Sequence, residues 1–249
     1  MRVLIPMAGT DEAFERHGYT YSKNLFEINN KPLLQHVFEW VENLPGAKFA
    51  FIVKKEEILR YHVDDVLRLV AAGCEIVQVE SATAGAACTA LLAIEHIDPD
   101  DELLITNGDQ VIVTDLPAVI RQFRERRLDG GTIVFDSVHP RWSYVRVNDE
   151  GYVEEAAEKR PISRQATAGF YYFRRGQDFI DSARTMISKD ANVHGQFYIC
   201  PTFNEMVLRQ ARIGVYPIER DVYFSFATPK GVEAYEAWLN RSQELQKSA

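Results

Sequence analysis

Val3-Leu4-Ile5-Pro6-Met7-Ala8-Gly9-Thr10 reads as a short buried strand that runs straight into a glycine-bearing loop. An apolar run followed by an amphipathic segment then recurs through the first half of the chain. Pro32 sits at a helix start, with Leu33, Leu34, Val37, Phe38, Val41 and Leu44 at helical spacing. Phe49 to Val53 predicts a second strand, followed by helix through Ile58, Tyr61, Val66, Leu67 and Val70. Glu75 to Val79 and Leu103 to Thr106 predict two more strands, trailed by helices over 86–96 and 116–127. This βαβα rhythm implies an α/β fold of three layers, α/β/α, with a mostly parallel Rossmann-like sheet. Sheets of that kind hold ligands beyond the carboxyl ends of their strands, so the loops after strands one, three and four become the search area.

The second half changes character. Strands are predicted over 130–137, 144–147, 152–156 and 169–173, with Asn148-Asp149-Glu150-Gly151 as a turn between two of them. Helices follow over 179–188 and 204–210, and a last one starts near Pro229 and runs through Trp238. With no internal repeat, low-complexity tract or Pro/Gly linker, residues 1–249 are expected to form a single domain.

Composition narrows the function classes. A chain of 249 residues with 46% hydrophobic and 26% charged residues has material for a buried sheet. A formal charge of −8 argues against a broad nucleic-acid surface, which needs clustered cations. It leaves room for a nucleotide held by a few lysines and backbone amides. Cys74, Cys88 and Cys200 are widely spaced and follow no metal-binding or disulfide pattern. The apolar run at Met1–Pro6 is too short for a signal peptide, and no apolar stretch has the length of a membrane span. A cytoplasmic protein without a membrane partner is expected, with a homo-oligomer left open.

The three loops carry the chemistry. After the first strand, Gly9 lets backbone approach a ligand closely, and amides of Ala8, Gly9 and Thr10 could cradle phosphate, with Lys23 at the loop's far end. A turn glycine after a strand is the plainer reading of Gly9 alone. After the third strand, Thr83-Ala84-Gly85-Ala86-Ala87-Cys88-Thr89 offers small residues on which a base could lie, or simply a tightly packed helix start. After the fourth, Asn107-Gly108-Asp109 places a carboxylate at the edge of a parallel strand, suited to a divalent cation against phosphates. Asp is also a common turn residue.

In order along the chain, Ala8-Gly9, Phe14, Ser22-Lys23, Lys31-Pro32, Gly108-Asp109, Glu158-Lys159 and Thr167-Ala168-Gly169 resemble the motifs of the sugar-phosphate nucleotidylyltransferases, or nucleoside-diphosphate-sugar pyrophosphorylases. The resemblance implies joining a nucleoside triphosphate to a phosphorylated acceptor, typically a sugar 1-phosphate, with Mg2+ and pyrophosphate release. Such enzymes supply activated sugars, for instance to cell-surface polysaccharide. It implies that Ala8, Gly9, Thr10, Asn107 and Gly108 hold the nucleotide, that Gly85 and Glu80 lie at the base, and that Asp109 ligates the metal. Lys23 would meet the triphosphate and Lys159 the acceptor phosphate, with Glu158 and Gly169 lining the acceptor site. Residues 1–128 would form the nucleotide half and 129–249 the acceptor half.

The chain departs from that pattern at four places. Asp11 stands at the second glycine of the loop, Ala13 at the signature arginine and Ser225 at a second metal-binding aspartate, while Arg160 interrupts the E-K-P motif. Arg16 is the candidate to stand in for the arginine. These departures keep open a degenerate member that binds nucleotide or sugar nucleotide without transfer. A glycosyltransferase is a further alternative, although Asp109-Gln110-Val111 does not supply the D-x-D pair those enzymes usually carry.

Overall fold

A computed structural model describes residues 1–247, with side chains through Glu244. Nine strands form one sheet: β1 (Arg2–Pro6), β2 (Lys48–Lys54), β3 (Glu75–Val79), β4 (Leu103–Thr106), β5 (Gly130–Asp136), β6 (Ser143–Val147), β7 (Val153–Glu158), β8 (Gln165–Phe173) and β9 (Ile213–Pro217). Their order is β7-β6-β8-β4-β1-β2-β3, with β5 paired to both β8 and β9. The β3-β2-β1-β4 block is parallel, and so is β5 with β9. Strand β8 joins the block antiparallel to β4 and pairs antiparallel with β5 and β6.

Continuous apolar strands demand cover on both faces, and the period of two divides each strand between two cores. Val3 and Ile5 of β1 enter one core and Leu4 the other. Likewise Phe51 and Val53 of β2 face the first core, Ala50 and Ile52 the second. The first layer is built by α1 (Leu33–Val41), α3 (Val63–Val70), α5 (Leu116–Glu125) and α8 (Pro229–Lys247), which contribute Leu34, Val37, Leu67, Phe123 and Tyr235. The second is built by α4 (Ala86–Leu91), α6 (Gly176–Ser188) and α7 (Thr202–Val207), through Ala87, Ala90, Phe179, Met186 and Phe203. Asp115 caps α5 by accepting from the Ala118 amide at 3.1 Å. Among the described residues, no helix is long and apolar enough to cross a membrane.

The sheet differs from the sequence reading in detail. The stretch read as one helix through Ile58 and Val70 is two, α2 (Lys55–Tyr61) and α3, because His62 adopts φ 55° between them. Strand β8 begins at Gln165 rather than Gly169, since its first half is also buried and paired. Strand β9, which carries Gly214 and Pro217, is not among the strands predicted from the sequence. It survives as an edge strand bonded to β5 alone, with the proline as its last residue. A two-stranded ladder of Gln110–Ile112 with Tyr223–Ser225 was too short to show periodicity.

The bend of β8 is set by one buried amide. Gln110 is wholly buried and its Nε2 donates to the carbonyls of Ala168 (2.6 Å) and Gly169 (3.0 Å) and approaches Thr106 Oγ1 at 3.2 Å. Its Oε1 accepts from Asn107 Nδ2 and Tyr223 Oη, each at 3.2 Å. The β8–β5 register shifts between Thr167 and Tyr171, and Gly169 takes φ 61° at that bulge. A Cβ there would lie 2.1 Å from Asn107 Nδ2 and 2.6 Å from Gln110 Oε1. Gly169→Ala is therefore expected to cost about 2–4 kcal/mol through strain and a displaced amide network. Thermal unfolding should show a drop in Tm of roughly 5–15 °C; an unchanged Tm would contradict this account of the bulge.

Candidate active site

The carboxyl ends of β1, β2 and β4 open on one cleft, where parallel topology concentrates exposed loop backbone. The turn Asn107-Gly108-Asp109 is clamped on every side. Asn107 N donates to Gly169 O at 3.0 Å, Gly108 N to Pro6 O at 3.2 Å, and Phe226 N to Asp109 O at 2.7 Å. Gly108 is required because a Cβ would stand 2.6 Å from Pro6 O. The Asp109 carboxylate is thus presented at a fixed point. Lys23 opens a 3-10 turn (Lys23–Leu25) that Ser22 caps by accepting from Asn24 N at 3.2 Å. Its Nζ, nearly buried, donates to Asp109 Oδ2 at 2.9 Å. Burial works to lower the Lys23 ammonium, but Asp109, by charge and hydrogen bond, with Asp11 and Glu57 behind it, holds it above the usual lysine value.

Two hollows meet at Asp109. One, of 390 Å³, is lined by Ala8, Gly9, Thr10, Gly85, Asn107 and Gly108 together with Lys23 and Asp109. The amides of Ala8 and Gly9 are bonded to no group among the described residues, so they stand ready for an anion. The other, of 320 Å³, shares Asn107 and Asp109 with the first and extends to Trp142, Glu158, Gly169, Tyr198 and Ser225. Asp109 therefore borders both hollows. A further cavity of 680 Å³ continues outward from Ala8–Thr10 past Lys54 and Tyr61 to Glu80.

Several predicted residues make further contacts within the fold. Glu80 is largely exposed and paired with Lys55 at 2.8 Å, in the outer cavity and not in the hollow that Gly85 lines. Gly85 takes φ 115° and abuts the backbone of Phe197, whose amide donates to Ala84 O at 2.7 Å and whose carbonyl accepts from Ala87 N at 2.9 Å. Its small size thus serves chain packing first. Gly169 faces Asn107 and Gln110, as described above. Lys159, at φ 53°, sends its Nζ to Tyr198 Oη at 2.7 Å; Tyr198 lines the second hollow, whereas Lys159 lines a separate one of 540 Å³ with His194 and Asn204. Glu158 is buried and accepts from Ser143 Oγ; burial pushes its carboxyl up, against the pull of Ser143 and Lys159.

Other side chains join the site. Tyr223 and Tyr171 line the second hollow; burial, then the Asp109 charge, holds the Tyr223 phenol well above its usual value. Arg141 lies over the Trp142 ring at 4.3 Å, and both line that hollow. Their sequence signal was an aromatic beside a cation in a loop, which only the fold connects to Asp109. Arg16 does not stand in for an arginine at Ala13: it pairs with Glu12 at 3.0 Å and points to solvent with 77% of its side chain exposed. Among the described residues no group of three or more His, Cys, Asp or Glu could hold a metal. The donor set at the junction is Asp109, whose second carboxylate oxygen is left by Lys23, with the Ser225 hydroxyl lining the same hollow. That set fits a Mg2+ carried mainly by phosphate oxygens and water, and not a protein cage.

Comparison with known proteins places this geometry in a family. Residues 18–198 match the model of the family described as "Nucleotidyl transferase". The UTP--glucose-1-phosphate uridylyltransferase AglF of Haloferax volcanii is 32% identical over 158 residues, which cover 61% of this chain and 63% of that relative, under two thirds of its length. Among solved structures, the nucleoside-diphosphate-sugar pyrophosphorylase from Vibrio cholerae RC9 superposes with a TM-score of 0.81 at 24% identity, covering 94% of this chain and 99% of that one. A UDP-glucose pyrophosphorylase complexed with UDP-glucose superposes with a TM-score of 0.75 at 16% identity, over 96% and 98%. These two likenesses establish the fold, and the family match covers most of the chain: the protein belongs to the nucleotidyl transferase family.

Proposed function

We propose that the protein transfers a nucleotidyl group from a nucleoside triphosphate to a phosphorylated small-molecule acceptor, a sugar 1-phosphate, and releases pyrophosphate. The observation that carries this reading is the position of the Lys23–Asp109 pair at the junction of two hollows. A transfer between two bound molecules needs its charged groups where the molecules meet. In this reading residues 1–128 hold the nucleotide and 129–249 the acceptor, and the reaction runs in the cytoplasm, where nucleoside triphosphates are available.

An acceptor phosphate oxygen attacks the α-phosphorus in line. The bond from that phosphorus to the α–β bridging oxygen breaks, and pyrophosphate leaves with the electron pair. The amides of Ala8 and Gly9 bind the polyphosphate. Lys23 remains protonated throughout, because its raised value makes it a fixed positive charge and not a base. Asp109, with Ser225 beside it, would hold Mg2+, which supplies neutralisation of phosphate charge when bound. Glu158 and Ser143 offer oxygens to acceptor hydroxyls, and Lys159 reaches the acceptor phosphate once its ammonium leaves Tyr198. Positioning and charge do the catalysis, with no covalent intermediate.

The test is pyrophosphate release in the presence of Mg2+ over a panel of nucleoside triphosphates and sugar 1-phosphates. One triphosphate and one acceptor should be required together. Asp109→Ala and Lys23→Ala should each lower kcat/KM by roughly 10²–10⁴-fold. Wild-type turnover retained in both variants would remove this mechanism; nucleotide binding without release from any pair would mean a binding protein.

The ion pair also predicts a titration. In the wild type, the raised lysine value means the pair's stabilisation is complete below the unfolded lysine value and is lost only as pH climbs through the higher folded one. In Asp109→Asn the coulombic support goes while burial remains, so the Lys23 ammonium should fall well below its wild-type value. Following the Lys23 side-chain carbon shift by NMR against pH checks this, and an unmoved midpoint would show that Asp109 does not hold the charge.

A further inference from the structure

We infer that Lys54 supplies the phosphate-binding cation that the glycine loop lacks. The inference rests on the transferase reading above and adds a residue to it. The loop side of the cleft is short of positive charge. Ala13 packs against the first core, Arg16 is turned to solvent on Glu12, and Asp11 puts a carboxylate into the loop. The Lys23 ammonium is committed to Asp109 at 2.9 Å. A nucleoside triphosphate brings three to four negative charges to this point, about what two or three cations or metal charges must offset.

Lys54 is the last residue of β2, and β2 lies parallel beside β1 with Pro6 opposite Ile52. It therefore extends two residues past the end of β1, alongside the loop that leaves it. Lys54 lines the same cavity as Ala8, Gly9 and Thr10, whose first two amides have no partner among the described residues. Its side chain is 29% exposed, open enough to meet a ligand and buried enough to act through weakened screening. Its Nζ stands 3.9 Å from Asp11 Oδ1 and 3.5 Å from Glu57 Oε1, both longer than the roughly 2.7–2.9 Å of a charge-assisted hydrogen bond.

Each of those carboxylates has its other oxygen engaged elsewhere, while Glu57 Oε1, facing Lys54, is buried with no hydrogen-bond partner among the described residues. Asp11 Oδ2 accepts from Lys23 N at 3.3 Å, and Glu57 Oε2 from Asn24 Nδ2 at 2.8 Å. They tie the lysine-bearing strand end to the Ser22–Asn24 turn and store Lys54 near the loop without satisfying its donors. An incoming phosphate oxygen gives the ammonium its first short hydrogen bonds, together with the Ala8 and Gly9 amides. Arg60 lines the same cavity but lies over the Tyr61 ring at 5.0 Å, on the outer wall.

The experiment is calorimetric titration of the full chain in Mg2+ with the preferred triphosphate and with its uncharged nucleoside, on wild type, Lys54→Met, Lys54→Arg and Arg16→Ala. Lys54→Met should weaken triphosphate binding roughly ten- to hundredfold, as loss of one hydrogen-bonded charge does. Nucleoside affinity should stay within about twofold, Lys54→Arg should recover most of the loss, and Arg16→Ala should match wild type. Equal triphosphate affinity in Lys54→Met, or equal loss for nucleoside and triphosphate, would overturn the inference, the second because it marks collapse of the cavity. An unliganded melting curve on Lys54→Met separates instability from lost binding. A wild type that binds no triphosphate would overturn the transferase reading itself, whereas a binding wild type with unaffected Lys54→Met would overturn only the role of Lys54.

Discussion

Everything at the cleft depends on holding an ammonium and a carboxylate in contact across 86 residues of chain, with little water around the ammonium. Such a contact is not self-stabilising. Burying Lys23 costs desolvation, and only a carboxylate delivered at 2.9 Å with the right direction offsets it. The delivery is done by backbone. Gly108 presses on Pro6, Asn107 hangs from Gly169, and the Asp109 carbonyl holds Phe226. The aspartate is thereby tied to β1, to β8 and to the chain preceding α8. The first strand's end and the fourth strand's end become one rigid unit, with the lysine turn closing it.

The same fixing explains why Gln110 is buried at all. A primary amide inside a core is costly unless its donors and acceptor are met. Here the amide serves β8 at its bulge, Asn107 in the site turn and Tyr223 in the short ladder. Removing it would free three segments at once, all of which border Asp109. Structural and functional demands thus converge on one side chain that touches neither hollow of the cleft. The bulge at Gly169 follows from this: the strand bends because carbonyls of two successive residues turn toward one amide.

The parallel block was legible because its signal is redundant. Each strand is a run of consecutive apolar residues, each following helix has its own period, and Gly9 and Asp109 fall where such strands end. Lys23 and Asp109 both lie in loops that leave such strands, and the structure brings the two into contact. What was hidden depends on contacts rather than period. Nothing local distinguishes Gly85 fitted to a ligand from Gly85 fitted to Phe197, because both require the same missing side chain. Lys159 sits where an acceptor lysine is expected, but its contact with Tyr198 is made by a residue 39 positions away. The short ladder at Gln110 and the edge strand at Ile213 have too few residues, or too much glycine and proline, to show alternation.

The acidic cast of the chain, −8 overall, sharpens the problem that the cleft solves. An anionic ligand approaching an acidic protein gains little from long-range attraction, so binding must come from short contacts. For this the cleft offers the amides of Ala8 and Gly9, which have no partner among the described residues, and cations whose charges are held by neighbouring carboxylates. Asp11 and Glu57 look like poor company for phosphate, yet both help to keep the Lys23 ammonium charged, and they stand 3.9 and 3.5 Å from the Lys54 ammonium. On the reading proposed above, a loop with Asp11 at a glycine position and Ala13 at the arginine position draws its positive charge from Lys54, on the strand beside it.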